Sequence, residues 1–302
     1  MKQVGDPGSI GLETAGDDEV MKIGVSGASG QLGTAVLKQL VARGGGHEII
    51  AVSRTPQNLS NAMSGRFGDY DKPESLAGAY AGLDRLLVIP TMARVPGVRG
   101  GQSVAAIDAA VAAGVGHIVF MSGAGTRAAE EPDILASYFA GEQRLMRTAP
   151  KWSVLRMNYY AESLIDEAKM SLARGVLAGL AENRVAFVSR DDLAAAAAGL
   201  LLGQGHEGAI YNGTGPASIT GTERAAAIAE AAGQPLTFMV LPKKILRGGL
   251  EHAGLPADVV NVVMSIQEAF AAGGFDIVTG DIERLSGRAP RAFKDLVRHA
   301  FA

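Results

Sequence analysis

Short apolar runs alternate with amphipathic helical patterns from residue 22 onwards. This order is typical of β-α-β units, in which helices connect the strands of a parallel sheet. Six runs predict strands, at residues 22–26, 48–53, 65–67, 85–89, 117–121 and 152–157. Three stripes with helical spacing lie between them, namely Leu32, Val36 and Leu40; Val104, Ile107 and Val111; and Leu135, Tyr138, Glu142, Leu145 and Met146.

The pattern changes in the second half of the chain. Two late runs, 185–188 and 209–212, predict further strands, and beyond Gly215 helical patterns dominate, with one strand-like run at 236–241. We therefore predict an α/β fold, a Rossmann-type doubly wound parallel sheet with a smaller, mostly helical C-terminal substrate lobe. A ligand would bind in the cleft between them, at the carboxyl ends of the strands.

This pattern also predicts domain boundaries. The nucleotide-binding domain is expected at 21–157, with its sheet completed by elements within 185–215, and the lobe at 158–184 and 216–302. Residues 1–20 are acidic, carry Gly and Pro, and predict a disordered tail or an added extension that takes no part in the fold.

Either Asp191 or Asp192 is expected to cap the Ala-rich helix at 193–202.

Composition excludes several classes of function. The 47% hydrophobic and 20% charged residues exclude disorder of the bulk, and the net charge of −3 argues against a nucleic-acid partner. With no cysteine, disulfides and thiolate catalysis are excluded. The five histidines lack ligand spacing, so no metal is expected, and the apolar stretch 193–203 is about half the ~20 residues that a membrane helix needs. We expect a cytoplasmic protein without a membrane partner, and a homodimer is left open.

The sharpest motif is the glycine-rich segment 27–33, G-A-S-G-Q-L-G, which joins the first predicted strand to the first helix. Glycines there permit a tight turn, a close approach of backbone N–H groups to a pyrophosphate, and close packing of helix on strand. The helix N-terminus adds partial positive charge. The segment predicts a dinucleotide site whose contacts come from Gly27, Ser29, Gly30, Gln31 and Leu32.

The end of the second strand indicates which dinucleotide binds. An NAD site places a carboxylate there for the ribose 2′-hydroxyl, whereas this chain has Ser53 and Arg54. A carboxylate would repel a 2′-phosphate, and an arginine pairs with it. We therefore predict NADPH/NADP as the cofactor.

Together these segments resemble a known family. The resemblance is carried by residues 27–33, 53–54, 68–76, 112–118, 188–194 and 281–288. It is to the NmrA-like atypical short-chain dehydrogenases/reductases, and within them to the bacterial NAD(P)H:quinone and triphenylmethane-dye reductases. The resemblance implies a Rossmann domain, NADPH and a small substrate lobe. The family also includes members that bind NADP and regulate transcription without catalysis.

Further site residues follow from the strand ends and from this resemblance. The loops after the fourth and fifth strands are expected to line the cofactor with their first residues and to touch substrate with their tips. The segment 157–160 resembles the family's segment near the nicotinamide. The additional cofactor-binding candidates are Asp69, Ile89, Pro90, Thr91, Met121, Ser122, Gly123, Asn158 and Tyr159, and the substrate-binding candidates are Met92, Tyr138 and Tyr160.

The catalytic candidate is Tyr138, and its surroundings are unusual. Ordinary short-chain dehydrogenases use Tyr-x-x-x-Lys, in which the lysine lowers the tyrosine pKa. Here no tyrosine has a lysine four residues on, and the residue four after Tyr138 is Glu142. The resemblance implies a histidine at position 138 and a glutamate at position 142. Glu142 therefore matches the pattern of these reductases, whereas Tyr138 differs from it. Tyr138 is equally well interpreted as an inward packing residue.

The missing lysine favours delocalised acceptors. Reduction of a simple ketone leaves an alkoxide that needs an acid, whereas a quinone leaves a phenolate that water can protonate. We predict an NADPH-dependent reductase of quinone-like or conjugated aromatic small molecules. The alternatives are a noncatalytic NADP(H)-sensing regulator of the NmrA type, and a reductase or isomerase of specialised metabolism that uses Tyr138 as its acid.

Overall fold

The computed structural model describes residues 20–58, 63–131 and 133–302. The strands are β1 (Lys22–Ser26), β2 (Glu48–Ser53), β3 (Ser64–Phe67), β4 (Arg85–Val88), β5 (His117–Gly123), β6 (Trp152–Met157), β7 (Val176–Gly179), β8 (Arg184–Val185), β9 (Ala209–Gly213), β10 (Ile219–Thr220) and β11 (Thr237–Val240). The helices are α1 (Gln31–Arg43), α2 (Leu76–Tyr80), α3 (Val98–Ala112), α4 (Ile134–Thr148), α5 (Ala161–Ser171), α6 (Arg190–Leu202), α7 (Gly221–Ala232), α8 (Lys243–His252), α9 (Ala257–Ala271), α10 (Asp281–Ser286) and α11 (Phe293–Phe301).

The central sheet is parallel and has seven strands in the order β3-β2-β1-β4-β5-β6-β9. Strands β2 and β3 follow one another on one side of β1, and the chain then crosses over to place β4 on the other side of β1. The order therefore reverses between β1 and β4, and the crevice at the carboxyl ends of these two strands is where ligands bind in such sheets. The predicted Rossmann-type α/β fold is confirmed.

Helices cover both faces of this sheet. Residues alternate along β5, so that Val119 and Met121 pack in the cluster formed with α1, α6 and α10. Ile118 and Phe120 pack in the opposite cluster, formed with α2, α3 and α4. Because both faces are buried, the strands read as continuous apolar runs in the sequence.

The C-terminal part is mostly helical, as predicted. It has its own core, in which α5, α7, α9 and α11 pack together around Phe187 and Phe270. Two small sheets belong to this part, one pairing β8 with β10 and the other pairing β7 with β11. The expected domain boundaries remain a prediction, and residues 1–19 of the expected tail lie outside the described residues.

The expectation of a strand over 185–188 is wrong. Strand β8 ends at Val185 and pairs with β10 rather than with the central sheet. The next backbone groups bind other partners, because Ala186 N donates to Phe275 O and Val188 N donates to Tyr159 O. The central sheet is completed by β9 alone from this part of the chain.

The cap of α6 also differs from the expectation. The N-cap is Ser189, whose hydroxyl accepts from the backbone N–H of Asp192. The Asp192 carboxylate is fully buried and binds the guanidinium of Arg288 and the backbone N–H of Arg291. Asp192 thus anchors the C-terminal segment on α6. None of the helices in the described ranges has the length and apolar character needed to cross a membrane.

Candidate active site

The glycine-rich loop joins β1 to α1 at the switch point of the sheet. Gly27 has a φ of +89°, which favours glycine, and its N–H and that of Ala28 donate to Val52 O at 3.2 Å each. A Cβ atom at Gly33 would lie 2.3 Å from Gly27 O. A residue with a side chain would therefore push α1 away from the loop, and glycine allows the close packing that the motif predicts.

The N-terminus of α1 is open to an anion. The N-cap residue Gly30 provides no side-chain cap, and the first turn contains no acidic residue. Ser29, Gly30 and Gln31 are exposed, whereas the Leu32 side chain is buried in the core. Free N–H groups with the positive end of the helix dipole suit a phosphate. This cradle fits the pyrophosphate of a dinucleotide.

The end of β2 lies beside this cradle, because β2 pairs with β1. Ser53 is buried, and its hydroxyl accepts from the N–H of Thr55 at 3.1 Å. Arg54 follows with an exposed side chain. The arrangement offers a guanidinium and no carboxylate at the end of β2, which fits a 2′-phosphate better than a free 2′-hydroxyl.

Replacing Arg54 by alanine is expected to weaken NADPH binding by about 1–3 kcal/mol, the loss of a charge-assisted hydrogen bond. NADH binding should be unaffected, since NADH lacks the 2′-phosphate. Calorimetric titration of both dinucleotides measures the difference. Lys38→Ala, which removes an exposed charge farther along α1, is the matched control. An equal loss for NADPH and NADH would contradict the role of Arg54.

The side chain of Gln102 on α3 connects the loops after β3 and β4. Its amide donates to Asp71 in the first loop at 2.6 Å, and its oxygen accepts from the Thr91 hydroxyl in the second. Asp69 lies in the first of these loops and accepts from the N–H of Asp71. In the second loop, Ile89 and Pro90 are half-buried. Ile89 packs against the glycine-rich loop, since a Cβ atom added at Gly27 would lie 3.2 Å from the Ile89 Cβ.

The end of β5 carries a buried cluster. The Ser122 hydroxyl donates to Glu142 at 2.6 Å, and Arg156 binds the same carboxylate through two hydrogen bonds of 2.8 and 2.7 Å. Met121 is buried in the core behind this cluster. Glu142 is 1% exposed, so its carboxylate links β5, β6 and α4 rather than facing a ligand.

Tyr138 lies one helical turn before Glu142 on α4 and packs on the backbone of Gly123. A Cβ atom at Gly123 would be 3.1 Å from the tyrosine ring. The Arg99 guanidinium lies over the same ring, 5.6 Å from its centroid. Burial raises the pKa of Tyr138, and the charge of Arg99 only partly opposes this rise.

The segment after β6 is tightly bound within the protein. The Asn158 amide donates to Phe275 O, and its oxygen accepts from the N–H of Tyr159. The Tyr159 ring packs edge-on against Phe270, with centroids 5.0 Å apart. The Tyr160 hydroxyl donates to Met157 Sδ at 3.2 Å, and its ring lies under the Arg190 guanidinium. Burial raises the pKa of both tyrosines.

A cleft of about 510 Å³ opens between the loop after β4 and α9. Its lining residues are Met92, Arg94, Val95, Pro96, Ile134, Asp258, Asn261, Val262 and Ser265. Of the three substrate-binding candidates, Met92 lines this cleft, whereas Tyr138 and Tyr160 are not among its lining residues. Sequence reasoning missed Arg99 and the residues of α9, because α9 lies far along the chain from this loop and no local pattern connects them.

Comparisons with known proteins agree with this geometry. A family model described as NAD(P)H-binding matches residues 27–203. Quinone oxidoreductase 2 of Escherichia coli is 29% identical over 92% of this chain and 98% of its own. A crystal structure of NADPH-dependent quinone oxidoreductase from Escherichia coli, complexed with NADPH, has a TM-score of 0.86 with 29% identity and covers 93% of this chain and 100% of that chain. Triphenylmethane reductase of Citrobacter sp. has a TM-score of 0.83 with 28% identity over 93% of this chain and 99% of that chain.

Proposed function

The chain belongs to the NAD(P)H-binding family, and on that premise we propose that it is an NADPH-dependent reductase that transfers a hydride to quinone-like or other conjugated aromatic acceptors. The relatives support this proposal, since they are named as quinone and dye reductases and one was solved with NADPH. The open N-terminus of α1 and the guanidinium of Arg54 support NADPH as the dinucleotide.

The observation that carries the proposed acceptor class is the environment of Tyr138. Its pKa is raised by burial, and the sequence places no lysine on the same face of α4 one turn later. The residue at that place, Glu142, is already bound to Ser122 and Arg156. A tyrosine with a raised pKa is a weak proton donor. The site therefore suits acceptors whose reduced form does not need a strong acid.

The protein would contribute mainly position and exclusion of water. Bound NADPH supplies the hydride, and the residues at the ends of β1, β2 and β4 hold the dinucleotide in the crevice. The apolar part of the cleft, formed by Val95, Ile134 and Val262, would hold a flat aromatic body. Holding two reactants in contact contributes a large part of a rate enhancement without a protein acid.

The proposal is tested by oxidation of NADPH in the presence of a panel of quinones, cationic dyes and simple ketones. Turnover with quinones or dyes and little turnover with ketones is the expected result. Tight NADPH binding without turnover on any acceptor would overturn it and favour the regulatory alternative. Turnover on ketones alone would contradict the proposed acceptor class and indicate an ordinary carbonyl reductase.

Tyr138→Phe is expected to reduce turnover of a quinone by less than about tenfold, mostly through KM, because the ring packs on Gly123 at the end of β5 and beneath Arg99 while water protonates the product. A general acid would instead account for a loss of about 10²–10⁴-fold in kcat. Steady-state kinetics with one quinone and one simple ketone decide between the two. A thousandfold fall in kcat on the quinone would contradict the mechanism without a protein acid.

Assembly and location are part of the same proposal. The lack of cysteine is compatible with a reducing, cytoplasmic compartment. A homodimer remains a proposal that sedimentation of the purified protein would test directly.

A further inference from the structure

Arg99 is a buried arginine without an acidic partner. The residue is 6% exposed, and its Nη2 donates to Ala93 O at 3.1 Å, whereas its Nε has no hydrogen-bond partner. Across the described ranges, no carboxylate forms an ion pair with it. Burying an uncompensated cation is costly, so an unpaired guanidinium in a protein interior indicates a place for negative charge.

Arg99 lies beside the cleft, in the wall of a second cavity. A smaller hollow of about 40 Å³ adjoins the cleft and shares its walls at Arg94, Val95, Pro96, Ile134 and Val262. The hollow is also lined by Arg99 and Ser137. Its volume suits a single polar atom or group rather than a ring, while the larger cleft accommodates the ring.

The start of α3 adds to the positive potential there. The N-cap Gly97 has a φ of +79° and gives no side-chain cap, and the first turn contains no acidic residue. The first N–H groups of this 15-residue helix therefore favour an anion. Among the other charged groups, Arg94 is paired with Asp258 at 2.8 Å, and Glu131, an exposed residue, also lines the hollow.

We propose that Arg99 and the N-terminus of α3 form an anion subsite, which binds the oxygen of the acceptor that becomes negatively charged on reduction. The inference rests on the proposed function. A quinone that gains a hydride gains two electrons and one proton, and becomes the hydroquinone monoanion. One proton from water then gives the neutral hydroquinone. A guanidinium keeps its charge throughout, so it stabilises the oxyanion without donating a proton.

This subsite complements the environment of Tyr138. The Arg99 guanidinium lies over the ring of Tyr138, so a positive charge stands next to this tyrosine. The tyrosine itself stays protonated, because burial raises its pKa. Stabilisation of the oxyanion removes the need for an acid in the transition state. The acceptor class that this subsite selects is a conjugated carbonyl compound whose reduced oxygen is a phenolate, such as a quinone. The alkoxide formed from a simple ketone is a much stronger base and still needs an acid.

Binding of 4-nitrophenol, whose phenolate is coloured, tests the subsite without turnover. With NADP⁺ present, the wild-type protein should lower the pKa of bound 4-nitrophenol by about one unit, read from the visible absorbance. Arg99→Gln should remove this shift, and Arg99→Lys should keep part of it. Arg144→Gln, which changes an exposed arginine on the outer side of α4, should leave it unchanged. Equal losses in Arg99→Gln and Arg99→Lys, or no shift in the wild type, would overturn the proposal.

Kinetics give the second readout. Arg99→Gln should lower kcat on a quinone by about 10–100-fold with a smaller change in KM, while NADPH binding, measured by calorimetry, shows that the variant is folded. Quinone turnover that is insensitive to Arg99→Gln would contradict the subsite and leave the proposed function standing. An Arg99-dependent nitrophenol shift without turnover on any acceptor would contradict the proposed function and leave an anion site at Arg99.

Discussion

Gly30→Val is expected to weaken NADPH binding by at least about a hundredfold while the protein without cofactor stays folded. A Cβ atom at Gly30 would meet only Gly27 O, at 3.3 Å, a tight contact that a shift of a few tenths of an ångström in the loop relieves. The valine methyl groups would instead fill the space in front of the α1 N-terminus, where the pyrophosphate would bind. A hundredfold loss corresponds to about 2.8 kcal/mol. Calorimetry measures binding, and circular dichroism monitors the fold.

Gly33→Val is the matched comparison, because the same substitution three residues later has a different physical effect. A Cβ atom there would lie 2.3 Å from Gly27 O and 2.9 Å from Ala28 Cα, so the loop and α1 would have to separate. This variant should lose thermal stability as well as binding. NADPH affinity within tenfold of the wild type in Gly30→Val would contradict the assignment of the cradle.

Glu142→Ala is expected to lower the free energy of unfolding by about 3–5 kcal/mol, the usual cost of removing one member of a buried ion pair. The carboxylate is 1% exposed and accepts from Ser122 and, twice, from Arg156. Its removal leaves the largely buried guanidinium of Arg156 without its ion-pair partner and the Ser122 hydroxyl with Thr126 as its remaining partner. Denaturant unfolding measures the change.

Asp108→Ala is the control for this prediction. Asp108 on α3 pairs with Arg144, which lies on the same helix as Glu142, but the side chains of this pair are 41% and 43% exposed. An exposed pair contributes at most about 1 kcal/mol. Similar losses of unfolding free energy in the two variants would contradict the structural role of Glu142. Because Glu142 also fixes α4 against β5 and β6, its loss should displace Tyr138 and reduce turnover.

Much of the nucleotide-binding half could be predicted because its signals are local. Strands β1, β2 and β6 begin and end where their apolar runs begin and end, since a strand buried on both faces needs a continuous run. Helix α1 ends at Arg43, directly before the three glycines at 44–46. The glycine-rich loop was identifiable because its constraints, a positive φ at Gly27 and close packing at Gly33, act within seven residues.

The late elements could not be predicted in the same way. The run at 185–188 has the composition of a strand, but β8 ends at Val185, because the following backbone groups bind loops around Tyr159 and Phe275. Asp192 has the sequence position of a helix cap. Its carboxylate instead binds Arg288 and Arg291, about 100 residues later, and Ser189 is the cap.

Neighbouring residues and repeating periods are enough to predict the Rossmann-type sheet, the dinucleotide loop, the arginine after β2 and the missing Tyr–Lys pair. Folding alone establishes that Glu142 is bound by Ser122 and Arg156, and that Arg99 lies without an ion-pair partner in a hollow beside the cleft that α9 completes. The physical reason is that burial and ion pairing depend on the sum of contacts from distant segments. The charge of a residue is encoded locally, but whether that charge finds a partner is fixed only when the chain has folded.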